Sequence, residues 1–469
     1  MDFMDREDEI KRLNKVLASG AGGLIVIWGR RRIGKTRLLL EWTKKHQGIY
    51  WVADESAAAI QRRYFARALD EYFPGFSKAE YSDWGLFFDR LTIEAKHANL
   101  KGPLVIDELP YLIAASKELP SILQRWIDHD LKHTKITLVL SGSSQSMMQG
   151  LVLNYNAPLY GRATELFKLN PLPVGYLGEG LGIKSCRRII EAYTLWGGVP
   201  RYWEFASSYR NNIEQSAADL VLHPSGPLHQ EPHRLLLEEM PSAISLRPIL
   251  DVIGSGVHRL SEIAARLNQP ATSLSHPLTR LQELGLVKRE IPFGESEKSG
   301  KKALYKIGDP FFRFWFNVVA PRRGLLADTD ENYRLSLINK TLPALVSQTW
   351  EELCLSYVSK AKKLANINQW MPAKRFWKGN DPEWDVVSEC IDQKYLLLGE
   401  VKWPIAKISE KYIEKILAEL QSKGTPQIKT NSKKNIKYCI FIPEIPKNTK
   451  NFGENVFLID AKSMLNELK

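Results

Sequence analysis

The chain has 469 residues, too many for one hydrophobic core, so two to four domains are expected. Its 44% hydrophobic and 25% charged residues are those of an ordinary globular protein, and no run reaches the ~18 apolar residues of a membrane span. The net charge of +12 permits nucleic acid or another anionic partner, although the placement of charge counts for more than its total. The opening MDFMDREDEI is acidic and polar, unlike a signal peptide, and Cys186, Cys354, Cys390 and Cys439 form no CxxC. Neither a zinc site nor a disulfide framework is expected, and the pattern suits a reduced cytoplasm with no membrane partner.

In chain order, the apolar run Leu24–Trp28 reads as a buried strand and Thr36–Trp42 as a helix, closed by Lys44, Lys45 and a Gly48 cap. Between them Gly29-Arg30-Arg31-Arg32-Ile33-Gly34-Lys35-Thr36 fits G-x-x-x-x-G-K-[ST]. Strand, glycine loop and helix N-terminus make an anion cradle: backbone amides point inward, Lys35 reaches the β/γ-phosphates and the Thr36 hydroxyl holds Mg²⁺. A nucleoside triphosphate, ATP with Mg²⁺, is the expected ligand.

A second strand is expected at Ile49–Ala53, helices around Ala57–Tyr72 and Trp84–Leu100, and an apolar strand over Pro103–Asp107 ending in the acids Asp107-Glu108. An acid at that strand end holds Mg²⁺, and the next polarises the attacking water. The alternative, an N-cap acid on the following helix, is disfavoured by the phosphate loop upstream. A strand at Ile136–Leu140 runs into Ser141-Gly142-Ser143-Ser144, where a hydroxyl can sense the γ-phosphate. Alternating strands and helices imply an open parallel sheet with its ligand at the strands' carboxyl ends.

The opening Phe3–Glu7, the phosphate loop, LVIDE, LSGSS, Leu159-Tyr-Gly161-Arg162 and Trp196-Gly-Gly-Val-Pro200 resemble, in this order, the archaeal and bacterial AAA-type ATPase family. The resemblance implies a P-loop core with an additional strand and a helical lid. Lys35 and Thr36 would take triphosphate and Mg²⁺, Asp107 the metal, and Glu108 the water, with Ser141 or Ser143 as sensor. Arg162 is a candidate arginine finger, acting from a neighbouring copy in a homo-oligomer; a surface arginine in a turn is the alternative. One of Arg30, Arg31 and Arg32 would face phosphate, and Arg201 is a candidate nucleotide contact from the lid.

Helical periodicity continues from Cys186 to Met240. Helices are then expected at Ser242–Ile253, at Leu260–Leu267, and from Ser275 to Gly285 with Pro277 in its first turn, followed by strands Leu286–Arg289 and Ala303–Ile307. This is the order of a winged helix-turn-helix. Thr272, Ser273, Ser275, His276 and Arg280 would face a DNA groove, and Lys298, Lys301 and Lys302 its phosphates. Protein docking is the other use of such a module. The run from Lys429 to Lys437 is a further basic stretch.

Two apolar runs, Glu383–Ser388 and Tyr395–Trp403, form a hairpin if the chain turns at Asp392-Gln393. Counting outward from Ile391 opposite Lys394 puts Asp385 opposite Glu400, with Lys402 on the same sheet face as Glu400. Paired carboxylates repel unless a cation lies between them, and oxygen ligands suit Mg²⁺ or Mn²⁺. The pattern resembles the PD-(D/E)xK restriction-endonuclease-like superfamily, although no proline directly precedes Asp385; Glu351 matches the extra helical acid of some members. The segment also resembles the DUF234 domain of many of these ATPases. An ordinary surface hairpin is the alternative.

The expected architecture is α/β: an ATPase core over residues 1–180, a lid over 181–240, a winged helix over 241–310, a connector over 311–340 and a nuclease-like domain over 341–469. The expected function is ATP hydrolysis governing duplex-DNA binding and Mg²⁺-dependent phosphodiester cleavage. A non-nucleolytic ATPase switch, whose later domains only bind DNA or protein, is the alternative.

Overall fold

A computed structural model of the chain describes residues 3–209, 212–239, 245–298, 300, 302–365, 369–379, 381–428 and 434–469. It divides into two compact units: Phe3–Pro171 with Leu235–Pro241, and Leu172–Arg234 with Ser242–Lys469.

In the first unit, β1 (Gly23–Trp28), β2 (Ile49–Val52), β3 (Lys101–Asp107), β4 (Lys135–Gly142) and β5 (Glu165–Lys168) form a fully parallel sheet in the order β2-β3-β4-β1-β5. Every residue of β1 is buried, as its unbroken apolar run requires of a strand covered on both faces. Leu24, Val26 and Trp28 enter a core with Phe65, Trp84, Phe87 and Trp126; Ile25 and Ile27 enter another with Leu38, Leu39 and Trp42. Strand β5 was not anticipated, because ELFK carries no apolar run. The helix Lys35–Lys45 ends differently from expectation: Gln47 takes the left-handed turn (φ 50°). Gly48 serves close packing, since a Cβ there would fall 2.5 Å from the Pro103 carbonyl oxygen.

The second unit begins with helices including Cys186–Trp196 and Pro200–Ala206. Helices Arg247–Gly254, Leu260–Arg266 and Ser275–Glu283 then precede the antiparallel pair β6 (Val287–Glu290) and β7 (Leu304–Ile307). Residues 242–244 of the helix expected from Ser242 lie outside the described residues. A 28-residue helix, Glu331–Val358, runs straight through the boundary expected at 340/341, with Pro343 inside it.

The second sheet comprises β8 (Lys374–Phe376), β9 (Trp384–Glu389), β10 (Tyr395–Val401), β11 (Asn435–Phe441) and β12 (Val456–Ile459) in the order β12-β11-β10-β9-β8. It is mixed: β8, β9 and β10 are antiparallel neighbours, while β10, β11 and β12 run parallel. Helix Glu410–Ser422 covers it, burying Ile413, Ile416 and Leu420.

Candidate nucleotide-binding site

The loop between β1 and the helix Lys35–Lys45 is shaped by local backbone needs. A Cβ on Gly29 would sit 2.6 Å from the Leu169 carbonyl oxygen, so only glycine fits there. Gly34 stands at the helix N-terminus with φ 95°, a conformation that glycine adopts without strain, and no side chain caps the helix amides. Uncapped amides at a helix N-terminus are a seat for an anion. Buried Arg6 braces the loop from outside, donating to the carbonyls of Ile33 and Asn170, each at 2.9 Å. Ile33 itself is fully buried in the core beside Leu38.

Lys35 is only 5% exposed, and its ammonium donates to the carbonyls of Gly29 (2.7 Å) and Arg30 (3.2 Å). Burial lowers its pKa against the opposing pull of Glu108, Asp107 and Glu239. The Thr36 hydroxyl donates to Asp107 Oδ2 at 2.9 Å, the Tyr50 hydroxyl donates to the same oxygen at 2.8 Å, and the Glu108 amide donates to Asp107 Oδ1 at 2.9 Å. Burial and the Asp107 charge push the Tyr50 phenol well up, keeping it a donor. Thr36 and Asp107 thus meet in one place, and their oxygens are hard donors of the kind Mg²⁺ takes.

Glu108 adopts a left-handed backbone (φ 54°), an unusual conformation for a residue with a side chain. Its Oε2 accepts from the Ser143 amide (3.1 Å) and hydroxyl (2.8 Å). Ser143 is thus the serine joined to the acid, whereas the Ser141 hydroxyl is buried without a hydrogen-bond partner. Arg31 donates to Ser143 Oγ (3.2 Å) and to the Tyr111 hydroxyl (2.7 Å). Arg30 is buried, and Arg32 supplies a left-handed turn at φ 70°. Arg162 forms a two-pronged ion pair with Asp128 at 2.8 and 2.9 Å. Arg201 pairs with Glu204 at 2.7 Å and lies over the Phe205 ring.

Sequence reasoning missed Tyr50, Arg6 and Glu239. Arg6 belonged to a quoted motif without a role, Tyr50 looked like one more strand residue, and nothing in the local pattern marked Glu239.

The family model described as an ATPase domain predominantly from Archaea matches residues 3–204, and that of DUF234, archaeal and bacterial proteins of unknown function, matches residues 315–416. The uncharacterized protein MJECL04 of Methanocaldococcus jannaschii is 30% identical over 431 residues, covering 90% of this chain and 92% of that protein. The chain belongs to this archaeal ATPase family. Among solved structures, the Walker-type ATPase PABY2304 of Pyrococcus abyssi shares the fold at a TM-score of 0.52 and 20% identity, over 68% of this chain and 97% of that one. The ORC2 protein of Aeropyrum pernix, solved in ADPNP and ADP complexes, aligns over 73% of this chain and 95% of its own at a TM-score of 0.45 and 14% identity, a likeness too distant to bear on function.

This member of the family carries a second charged cluster on the β9–β10 hairpin. The ladder pairs Leu398 with Val387 and Gly399 with Val386, a register that continues to Asp385 beside Glu400. Asp385 Oδ2 accepts from the Val401 amide at 2.9 Å, and burial followed by the Glu400 charge pushes its carboxyl up. Lys402 Nζ donates to Glu400 Oε1 at 2.7 Å, and Lys423 Nζ donates to Oε2 at 2.6 Å and to the Glu383 carbonyl at 2.9 Å. Burial pulls the Lys402 ammonium down, but the hydrogen bond to Glu400 together with the charges of Glu400 and Asp385 outweighs that and leaves it raised. Lys423, just past the helix Glu410–Ser422, had no signal in the sequence.

The Glu351 carboxylate is paired with Arg375, whose Nε lies 2.8 Å away. Among the described residues, no three His, Cys, Asp or Glu side chains converge as ligands of one ion. As arranged, two ammonium groups hold Glu400.

In the helical segment before β6, Thr272, Ser273, Ser275 and His276 are exposed, and Pro277 lies in the first turn of Ser275–Glu283. Arg280 pairs with Glu283, Lys302 with Glu295, and Lys298 is exposed. Lys301 and residues 429–433 lie outside the described residues. Among those described, no helix is long and apolar enough to cross a membrane.

Proposed function

We propose that the chain binds and hydrolyses ATP and uses that cycle to govern what its C-terminal unit does on duplex DNA. The observation that carries this is the chain of contacts Thr36–Asp107 and Glu108–Ser143 around Lys35 at an uncapped helix N-terminus. Lys35 would turn from its loop carbonyls to the triphosphate, and Thr36 and Asp107 would hold Mg²⁺. The ion supplies neutralisation of charge on the phosphate oxygens. Glu108, aimed by Ser143, would orient and polarise the attacking water. Arg162 would act as a finger only after leaving Asp128, and an oligomer in which it does so is part of the proposal.

The DNA-binding part rests on the net charge of +12 and on the exposed face Thr272, Ser273, Ser275 and His276 ahead of the β6–β7 pair. This part we read as a winged helix, and the mixed sheet as nuclease-like. The juxtaposition of Asp385, Glu400 and Lys402 supports phosphodiester cleavage as its chemistry. A second reading, in which the C-terminal domain binds DNA without cutting it, is favoured by the clamp of Lys402 and Lys423 on Glu400.

Turnover of ATP by wild type and Lys35→Ala tests the first part, and unchanged turnover in the variant removes it. Incubation of wild type and Asp385→Ala with duplex DNA and Mg²⁺ or Mn²⁺ decides the second. Cleavage lost in the variant supports nuclease chemistry, whereas DNA binding without cleavage in wild type leaves the binding-only reading.

A further inference from the structure

The chain leaves the ATPase unit at Pro171 and returns to it at Leu235, the second half of the helix Glu231–Glu239. The last turn of this helix presents Glu238 and Glu239 to the phosphate loop. Glu238 Oε2 lies 3.5 Å from Arg31 Nε. Glu239 is 8% exposed; its Oε2 accepts from the Gln145 amide at 3.2 Å, while its Oε1 is buried without a hydrogen-bond partner. Lys35, Arg30 and Arg31 all act on its charge. Two acids at a helix C-terminus oppose the helix dipole, so helix stability does not explain their placement. Arg31 offers Glu238 an ion pair, and the Gln145 amide offers Glu239 a hydrogen bond.

The position of Glu239 is specific within the cradle. Gln145 follows two residues after Ser143, which is bound to Glu108, and an acid that polarises the attacking water stands at the γ-phosphate end. Thr36 is exposed, while Lys35 is covered. A carboxylate and a γ-phosphate competing for the same cations cannot both stay, because like charges in a desolvated site repel strongly.

We propose that Glu239 discriminates nucleoside triphosphate from diphosphate: the Leu235–Glu239 segment stays docked beside a diphosphate and is expelled by the γ-phosphate. The γ-phosphate then takes over the interactions that Glu239 makes with Lys35 and Arg31. This deepens the nucleotide reading above and rests on it. It assigns the regulated element to a segment that lies more than a hundred residues beyond the loop it guards.

Calorimetry of the full chain with Mg-ADP and with a non-hydrolysable Mg-ATP analogue, for wild type and Glu239→Gln, tests it. The variant is expected to bind the analogue about tenfold more tightly and ADP within twofold of wild type. Hydrogen exchange on the wild-type chain requires no variant to fold: both nucleotides should protect residues 29–36, and only the analogue should speed exchange in 231–239. Equal affinity changes for both ligands, or protection of 29–36 by the analogue without faster exchange in 231–239, overturns the proposal and leaves the nucleotide site intact. Absence of heat and of protection at 29–36 with either ligand removes the nucleotide site itself, and this inference with it.

Discussion

The Glu108 carboxylate accepts both the amide and the hydroxyl of Ser143, so the acid at the end of β3 is aimed by the residue following β4. Glu108→Gln keeps an oxygen for those donors but removes the negative charge proposed to polarise water. ATP turnover should fall by at least ~100-fold, the scale of a lost general base, with nucleotide affinity unchanged. Steady-state turnover beside equilibrium binding of a fluorescent ATP analogue checks this; parallel loss of both would assign Glu108 a structural role.

Tyr50 and Thr36 both donate to one oxygen of Asp107. Tyr50→Phe removes a single donor without changing shape, at a cost of about 1 kcal/mol in how firmly that carboxylate is held. The expected result is a Mg²⁺ requirement for ATP turnover raised about fivefold, the size implied by that energy, with maximal rate at saturating Mg²⁺ little changed. A Mg²⁺ titration of turnover measures both.

Arg6 holds the phosphate loop through the Ile33 carbonyl and the Asn170 carbonyl from a buried position. Arg6→Ala leaves those acceptors without their donor and should destabilise the ATPase unit by roughly 2–4 kcal/mol. Urea unfolding followed by tryptophan fluorescence should show a lowered midpoint, and the unfolding slope should stay unchanged.

The docked Glu239 carboxyl is pushed up to about 7 by burial, against the hydrogen bond from the Gln145 amide and the charges of Lys35, Arg30 and Arg31; Lys168 also feels its charge. A carboxyl whose pKa is raised on docking binds protons more readily docked than free. Docking is therefore strongest below the ordinary value of 4.5, weakens as pH rises to about 7, and is level above that. The span amounts to about 3 kcal/mol at most. Exchange of residues 231–239, corrected for intrinsic rates, should be slower at pH 5.5 than at pH 8, and Glu239→Gln should flatten the difference.

Glu400 is shared by Lys402 and Lys423, which in the nuclease reading proposed above stand where a divalent ion would bind. Lys423→Met removes one of the two cations, so Mn²⁺ affinity measured by calorimetry without nucleotide should rise about tenfold, the scale of about 1.4 kcal/mol. Adding Asp385→Ala should erase the gain. No change in either variant would mean that these carboxylates do not bind metal even when released.

Local chemistry decides some of this protein from sequence alone. The phosphate loop is legible because glycine backbone freedom, a helix N-terminus and one lysine are properties of eight consecutive residues, Gly29–Thr36. The pairing of Asp385 with Glu400 is legible for a similar reason, since a tight turn sets the register of its hairpin and alternation then sets the faces. Strand β5, the long helix Glu331–Val358, the hold of Arg6 on Ile33 and the arrival of Lys423 at Glu400 are not of that kind. They join segments whose separation carries no periodic signal. Glu239 is the clearest case: a glutamate in an unremarkable helix, whose meaning appears only when the returning chain buries it among Lys35, Arg30 and Arg31. What tertiary packing alone decided is which charges are brought out of water together, and burial turns an ordinary carboxyl into one that a phosphate must displace.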